Sequence, residues 1–156
     1  MHNRSHSDHN SLLRSLFEVK EIMTRFTKEK DPILIAHQGE LDAVKMYTTL
    51  EKMVRADNPE LADAFRDAAR DEGKHAAICK AITGRTDLKA NPMNAIAVSA
   101  LYRFVSRKLA LKLISDGELK AAKDYAPYIL EYPTLMQPLQ DEVKHGTIMK
   151  SWSARV

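Results

Sequence analysis

Two short segments decide the fold, DEGKH at residues 71–75 and DEVKH at residues 141–145, which agree at four of five positions. Each follows a Gly-Glu segment, GELDAVKMY at residues 39–47 and GELKAAKDY at residues 117–125. These two segments agree at Gly, Glu, Leu, Ala, Lys and Tyr. Repetition of this kind indicates two similar halves. Each half therefore carries one segment with a lone glutamate and one with Glu-x-x-His.

Helical spacing makes each Glu-x-x-His pair a candidate for metal binding. Residues three apart on a helix lie on the same face, so a glutamate oxygen and an imidazole nitrogen can reach the same ion. A bundle of antiparallel helices would bring the halves together about a pseudo-twofold axis, with a terminal histidine for each ion and glutamates that bridge both. Di-iron carboxylate bundles have this ligand arrangement. The predicted metal ligands are Glu40, Glu72, His75, Glu118, Glu142 and His145.

The donor set also favours particular metals. Four carboxylates balance the charge of two divalent ions, and mixed oxygen and nitrogen donors favour iron or manganese over the thiolate-rich sites of structural zinc. A single Glu-x-x-His is weak support, because such a pair on an exposed helix is usually a surface hydrogen bond. Two copies, each following a Gly-Glu segment, favour a metal site over the alternative of a charged bundle without metal.

The composition predicts an all-α chain. Helix-forming residues dominate, β-branched runs are scarce and only five glycines are present. Three helices are predicted to begin where a capping residue precedes proline, at residues 31–32, 58–59 and 91–92.

The ends of these helices follow from the same signals. The first helix is predicted to end near Ala56 and the second near Ile82, with Gly84 as a left-handed cap. A last helix is predicted to carry Pro138 in its first turn and to continue to about Trp152.

The third helical pattern is too long for the bundle. It extends from residue 92 to near residue 125, about 50 Å at the standard helical rise. We therefore expect it to project or to break, either near Ser106 or at residues 115–117.

The N-terminal residues are predicted to lie outside the bundle core. Residues 1–10 are polar and without periodicity, which predicts a disordered start. Apolar residues then recur at helical spacing to about Lys28, which predicts an amphipathic helix that packs against the bundle or a second subunit. A homodimer is the expected assembly. Residues 11–156 are predicted to form one domain, with the bundle core at about residues 32–152.

Composition also limits compartment and partners. The single cysteine, Cys79, excludes an internal disulfide and a rubredoxin module within this sequence, and it fits a cytoplasmic protein. The sequence shows neither a signal-peptide core at its start nor a spanning apolar run, so we expect no secretion and no membrane partner. The net charge of +3 is small, and the basic residues between 103 and 123 form no nucleic-acid motif, so no nucleic-acid partner is expected.

Together these motifs resemble the ferritin-like superfamily, and within it the rubrerythrin-like proteins that lack a rubredoxin domain, over about residues 33–150. The resemblance implies a ferritin-like four-helix bundle with an extra N-terminal helix and a crossover helical segment between the halves. It implies two iron ions, with manganese as the alternative, on the six ligands given above. It also implies that Tyr47 and Tyr125, seven residues after their glutamates, hydrogen-bond ligand carboxylates of the facing helix.

The implied function is that of a di-iron oxidoreductase that reacts with dioxygen or hydrogen peroxide and takes electrons from a separate donor. Rubrerythrins typically carry a further glutamate three residues after the third-helix ligand, where this sequence has Ala121. That departure bears on peroxidase activity but not on the binding of two irons.

Two alternative functions use the same ligands. One is an iron-binding, ferroxidase or iron-sensing protein, and the other is a hydroxylase resembling demethoxyubiquinone hydroxylase. The hydroxylase alternative would use the apolar run at residues 95–101 as a membrane-facing or quinone-facing surface, but Arg103, Arg107 and Lys108 soon interrupt it.

Several residues near the predicted site are expected to be structural. His37 is interpreted as a polar helix residue and Cys79 as a small core residue without a nucleophilic role. Glu51 and Glu131 are expected to be solvated.

Overall fold

The computed structural model describes residues 31–156, and this part of the chain is helical with no β-strand. The predicted disordered start and N-terminal helix lie outside the described residues. The long helices are α1 (Pro32–Val54), α2 (Pro59–Thr83), α4 (Arg107–Tyr125) and α5 (Met136–Ser153). The shorter elements are α3 (Met93–Ala100), a π-helical turn (Leu101–Val105) and two 3-10 turns (Ala126–Tyr128 and Pro133–Leu135). The predicted all-α, ferritin-like helical bundle is confirmed, and α3 with its π turn forms the crossover between the halves.

The boundaries of α2 show how local chemistry sets the helix length. The Asn58 side chain accepts a hydrogen bond from the Leu61 backbone N–H at 3.0 Å, and Pro59 fills the first turn, where a missing N–H costs nothing. At the other end Gly84 adopts a left-handed φ of 65° and donates its N–H to the Lys80 carbonyl. Both predicted signals are confirmed.

The predicted long third helix breaks at Ser106. This residue is extended, with φ −160° and ψ 116°, and its Oγ accepts from the Leu109 N–H at 3.1 Å to cap α4. Residues 115–117 stay helical within α4. Of the two candidate positions, the one near Ser106 is therefore confirmed.

Two hydrophobic clusters enclose the middle of the bundle. The larger contains Leu50, Phe65, Leu111 and Met149, and the smaller contains Ile33, Cys79, Tyr125 and Leu135. Along each half of the chain the predicted metal ligands fall between residues of these two clusters. Apolar packing on both sides therefore positions the polar side chains between them.

Helices α4 and α5 pack closely against each other at Gly146. The Ser115 Oγ donates to the Gly146 carbonyl oxygen at 2.7 Å. A Cβ atom at Gly146 would lie 2.7 Å from Leu119 Cγ and 3.1 Å from the Ser115 carbonyl oxygen. Only glycine fits here without a shift of the neighbours.

Among the helices in residues 31–156, none combines the length and apolar character needed to cross a bilayer.

Candidate metal centre

All six predicted ligand side chains are buried in the middle of the bundle, and each exposes 7% or less of its surface. Buried carboxylates are costly unless cations or protons compensate their charge. Four of them in one place therefore require a source of positive charge.

The six side chains form two overlapping groups. One ligand atom from each member of a group lies within 4.8 Å of the others. The groups are Glu40, Glu72, His75 and Glu142, and Glu72, Glu118, Glu142 and His145. Glu72 and Glu142 belong to both groups and are therefore placed where a carboxylate could bridge two bound ions. Each of the other four side chains belongs to one group and could bind a single ion.

Both histidines turn Nδ1 toward the carboxylates. His75 Nδ1 lies 3.2 Å from Glu72 Oε2, 3.2 Å from Glu142 Oε1 and 3.4 Å from Glu40 Oε2. His145 Nδ1 lies 3.0 Å from Glu72 Oε1 and 3.6 Å from Glu118 Oε2. Each imidazole therefore faces both a bridging and a terminal carboxylate.

The hydrogen bonding of three polar atoms in the second group indicates whether a cation fits there. His145 Nδ1, Glu72 Oε1 and Glu118 Oε2 are buried and have no hydrogen-bond partner. His145 Nδ1 is close to both oxygens but is not aligned for a hydrogen bond to either. Buried polar atoms are rarely left unsatisfied. A single divalent cation between the three atoms would satisfy all of them, so these residues fit a metal ion.

Two aspartates that the sequence analysis did not assign contact the other nitrogen of each histidine. His75 Nε2 lies 3.2 Å from Asp141 Oδ2, and His145 Nε2 lies 3.5 Å from Asp71 Oδ2. An Nε2–H that donates to a carboxylate leaves Nδ1 free to bind a metal. The available signal was the Asp that precedes Glu in both repeated segments, but only the fold shows that each Asp serves the histidine of the other half.

Asp71 is held in its ionised form. It accepts hydrogen bonds from Lys74 Nζ at 2.7 Å and from Lys144 Nζ at 3.1 Å. Burial alone would raise the pKa of Asp71, but the two ammonium groups outweigh it and hold the pKa well below the usual range. Asp71 therefore remains an acceptor for His145.

The two tyrosines also contact ligands across the halves. Tyr47 Oη donates to Glu118 Oε1 at 2.6 Å, and Tyr125 Oη donates to Glu40 Oε1. Each tyrosine thereby fixes the orientation of one terminal carboxylate. Like the Asp–His contacts, both bonds join one half of the repeat to the other.

Protons supply the balancing charge when no cation is bound. Burial raises the pKa of Glu142 to about 11 and that of Glu40 to about 8. Burial would also raise the pKa of Glu72, but the adjacent imidazoles of His145 and His75 outweigh it and lower the pKa to about 2. For His145 burial lowers the pKa, yet the Glu118 and Glu72 carboxylates outweigh it and raise the pKa to about 9.

We expect the metal-free protein to lose stability as pH rises from below 6.5 to above 9. The pKa of His145 rises on folding from 6.5 to about 9, so its contribution is complete below 6.5 and is lost as pH rises through 9. The pKa of Glu40 rises from 4.5 to about 8, so its contribution is likewise lost as pH rises through 8. Scanning calorimetry of chelator-treated protein should show a falling Tm.

Manganese-loaded protein is the control for this pH dependence. Cations replace the protons, so stabilisation by Mn²⁺ should grow over the same pH interval. A metal-free Tm that stays constant or rises between these pH values would contradict the expectation.

The family follows from a comparison with known protein families. The rubrerythrin family model matches residues 31–152, a range that includes all six predicted ligands. The chain belongs to the rubrerythrin family. No curated protein and no solved structure matched it. In this rubrerythrin-family chain the buried carboxylate and histidine cluster is compatible with a di-iron site, and the ligand role of each residue stays a prediction.

Other candidate residues lie outside the two groups. His37 is buried and its Nδ1 lies 3.1 Å from Thr83 Oγ1. Burial, with Lys80 and Arg85 nearby, lowers its pKa, so the neutral imidazole is favoured. Its contact with Thr83 fits the interpretation of His37 as a polar helix residue.

Cys79 and Glu51 are both held by neighbours. The Cys79 side chain is buried, and its Sγ lies 3.5 Å from Tyr125 Oη. Burial raises the pKa of the thiol to about 11, which disfavours a nucleophilic thiolate. Glu51 is not simply solvated as expected, because its Oε1 lies 2.7 Å from Arg55 Nη2 and the side chain is partly buried. Glu131 is exposed.

Proposed function

We propose that this rubrerythrin-family protein is a di-iron oxidoreductase that reduces hydrogen peroxide or dioxygen. The observation that supports it most is the pair of buried ligand groups that share Glu72 and Glu142. When bound, two iron ions would supply the electrons for reduction of a small oxidant. Two electrons and two protons convert hydrogen peroxide into two water molecules.

The side chains of this chain would prepare the site for that chemistry. The bundle buries every ligand, so the carboxylates and imidazoles act where water is scarce and charge interactions are strong. Asp141 and Asp71 hold the Nε2–H of the two histidines, and the tyrosine hydroxyls hold one oxygen of Glu118 and one of Glu40. These bonds keep the donor atoms in place when the charge of the site changes.

A hydroxyl group lies beside a predicted ligand carboxylate, because Tyr125 Oη donates to Glu40 Oε1. When cations are bound, they replace the protons of the buried carboxyl groups. The two protons that the reduction consumes would therefore come from solvent.

The proposal includes a separate electron donor and a reducing compartment. The single cysteine cannot form the paired thiolate elements of a rubredoxin site within this domain, which supports a supply of electrons from outside the domain. Its unpaired and buried state supports a cytoplasmic location. The homodimer expected from the sequence rests on residues outside the described part of the chain and stays a prediction.

The test is stopped-flow mixing of the ferrous-loaded protein with hydrogen peroxide and, separately, with dioxygen. We expect faster oxidation than for free ferrous ion in the same buffer, and multiple turnovers when a reductant is present. A Glu118→Gln variant should be slower because a terminal ligand has lost its charge. A Glu131→Gln variant, at an exposed position, is the matched control and should be unchanged.

The same experiment separates the competing functions. Oxidation no faster than that of free iron, with either oxidant, would refute the oxidoreductase. Iron analysis after aerobic loading adds the stoichiometry: a catalyst retains about two ions per chain, whereas an iron store accumulates many more.

A further inference from the structure

An exposed apolar surface runs along the crossover segment. We call it the crossover ridge, and it consists of residues on one face of α3 and its π turn: Met93, Ile96, Ala97, Ala100 and Phe104. Ile96 is 57% exposed and Phe104 is 83% exposed. The opposite face is apolar too, because Ala95 and Tyr102 pack into the core. A contiguous exposed apolar surface of this kind often marks an interaction site.

The charged residues in the segment that contains the ridge are all basic. No acidic residue occurs between Asp87 and Asp116, although the chain contains 21 acidic residues. This interval ends in an exposed basic group at the junction of the π turn and α4, namely Arg103, Arg107, Lys108 and Lys112.

Two of these cations form no ion pair with another residue of the described part of the chain. Lys112 pairs with Asp116, and the Arg107 guanidinium lies 5.7 Å from the centre of the Tyr102 ring. Within residues 31–156, no ion pair joins Arg103 or Lys108 to an acid. The apolar ridge therefore lies beside positive charge that no acidic residue among residues 31–156 offsets by an ion pair.

We propose that the crossover ridge binds the surface of an anionic phospholipid bilayer. Proteins that lie on a membrane without crossing it combine exposed Phe, Leu or Trp with Lys and Arg next to them. Cations near an anionic leaflet add attraction that decays within the screening length. Phe104 and its neighbour Val105, 83% and 73% exposed, would enter the headgroup region, while Arg103 and Lys108 contact lipid phosphates.

This proposal departs from the expectation of no membrane partner that was drawn from the sequence. In the linear sequence the cations that begin at Arg103 interrupt the apolar run, which favoured no membrane contact. In the fold they lie exposed at one end of the ridge, where apolar and basic side chains can meet the same surface.

A second copy of the chain suits this surface less well than a bilayer. A twofold contact uses the same patch on both subunits, so it would bring two basic groups into one interface with no acid from residues 88–115 to offset them. Phe104 and Val105 also protrude, whereas a protein partner would need matching pockets. A fluid anionic bilayer offsets the basic charge and accommodates Phe104 and Val105 without preformed pockets.

Sedimentation of the full chain with lipid vesicles tests the proposal, which does not depend on the metal centre. We expect binding to vesicles of phosphatidylglycerol, much weaker binding to vesicles of phosphatidylcholine, and release from phosphatidylglycerol as salt is raised. This comparison uses the wild-type protein, so it decides the matter even if a variant fails to fold.

Two double variants assign the binding to the ridge. Arg103→Gln with Lys108→Gln should weaken binding to phosphatidylglycerol about 25-fold, roughly five-fold for each cation near the surface. Phe104→Ser with Val105→Ser should weaken binding to both lipids, and because both side chains are exposed, the Tm should not change.

Matched controls carry the same changes elsewhere. Lys120→Gln with Lys123→Gln removes two exposed cations from the other end of α4, and Leu130→Ser replaces a side chain that is 97% exposed between α4 and α5. Neither should reduce binding. Equal binding to the two lipids, or no effect of the ridge variants, would overturn the proposal. Absence of binding to phosphatidylglycerol vesicles would also overturn it. If the protein were then a dimer that Phe104→Ser dissociates, the ridge would be a self-association surface.

Discussion

A Glu72→Gln variant is expected to retain fewer than two divalent metal ions per chain, because its affinity for the two ions should fall more than about 100-fold. This loss exceeds the usual effect of removing a residue that only supports a metal ligand. Glu72 belongs to both ligand groups, and its two oxygens face the two different histidines. The amide replaces one oxygen donor with nitrogen and removes a negative charge. Three carboxylates then remain to balance two divalent ions.

Elemental analysis after loading with Mn²⁺ and dialysis would measure this loss. Glu60→Gln is the matched control, because Glu60 lies in the first turn of the same helix and is exposed. Calorimetry gives a second measurement: a ligand at about 1,000 times its Kd stabilises a protein by about 4 kcal/mol. Wild type should gain stability from Mn²⁺ and Glu72→Gln should gain much less. Two tightly held ions in the variant would show that the shared position is not a bridge.

A Gly146→Ala variant is expected to lose about 1–3 kcal/mol of stability, as overpacked sites do. The added Cβ would lie 2.9 Å from Leu119 Cδ2 as well as 2.7 Å from Leu119 Cγ, and 3.1 Å from the Ser115 carbonyl oxygen. Leu119 can rotate in part, but the Ser115 carbonyl belongs to the backbone of α4. Helices α4 and α5 must therefore separate next to His145.

Gly73 provides the matched comparison for this effect. It is exposed in α2, between Glu72 and His75, and a Cβ there would meet no atom within 4 Å. Gly73→Ala should therefore stabilise the protein by up to about 1 kcal/mol through helix propensity. Chemical denaturation of both variants measures the two free energies of unfolding. If Gly146→Ala were as stabilising as Gly73→Ala, the close approach of α4 and α5 would not constrain the fold.

The boundaries of the helices were largely predictable because local chemistry sets them. Asn58 caps its own helix and Gly84 needs only its own left-handed φ, so neighbouring residues suffice to locate both ends. The break at Ser106 was predicted only as one of two positions. A Ser side chain can cap a helix or sit inside one, and the packing of α3 on the core decides between them.

The sequence predicted only those parts of the site whose geometry is set by residue spacing within a single helix. Spacing within α2 and α5 placed each glutamate beside its histidine, but nothing in the spacing showed that Asp141 contacts His75 or that Asp71 contacts His145. Contacts between helices depend on their rotation and relative height. For the same reason the sequence did not reveal the His37–Thr83 contact or the exposure of Phe104.

The crosswise bonds have an evolutionary consequence. Tyr47 and Asp71 of the first half contact ligands of the second half, and Tyr125 and Asp141 contact ligands of the first. A half-length ancestor with one helical hairpin would thus have lacked partners for its own donor atoms until it paired with an identical copy. Gene duplication and fusion would have turned that symmetric pair into one chain, after which each half was free to diverge, as at Gly73 of the first half and Val143 of the second.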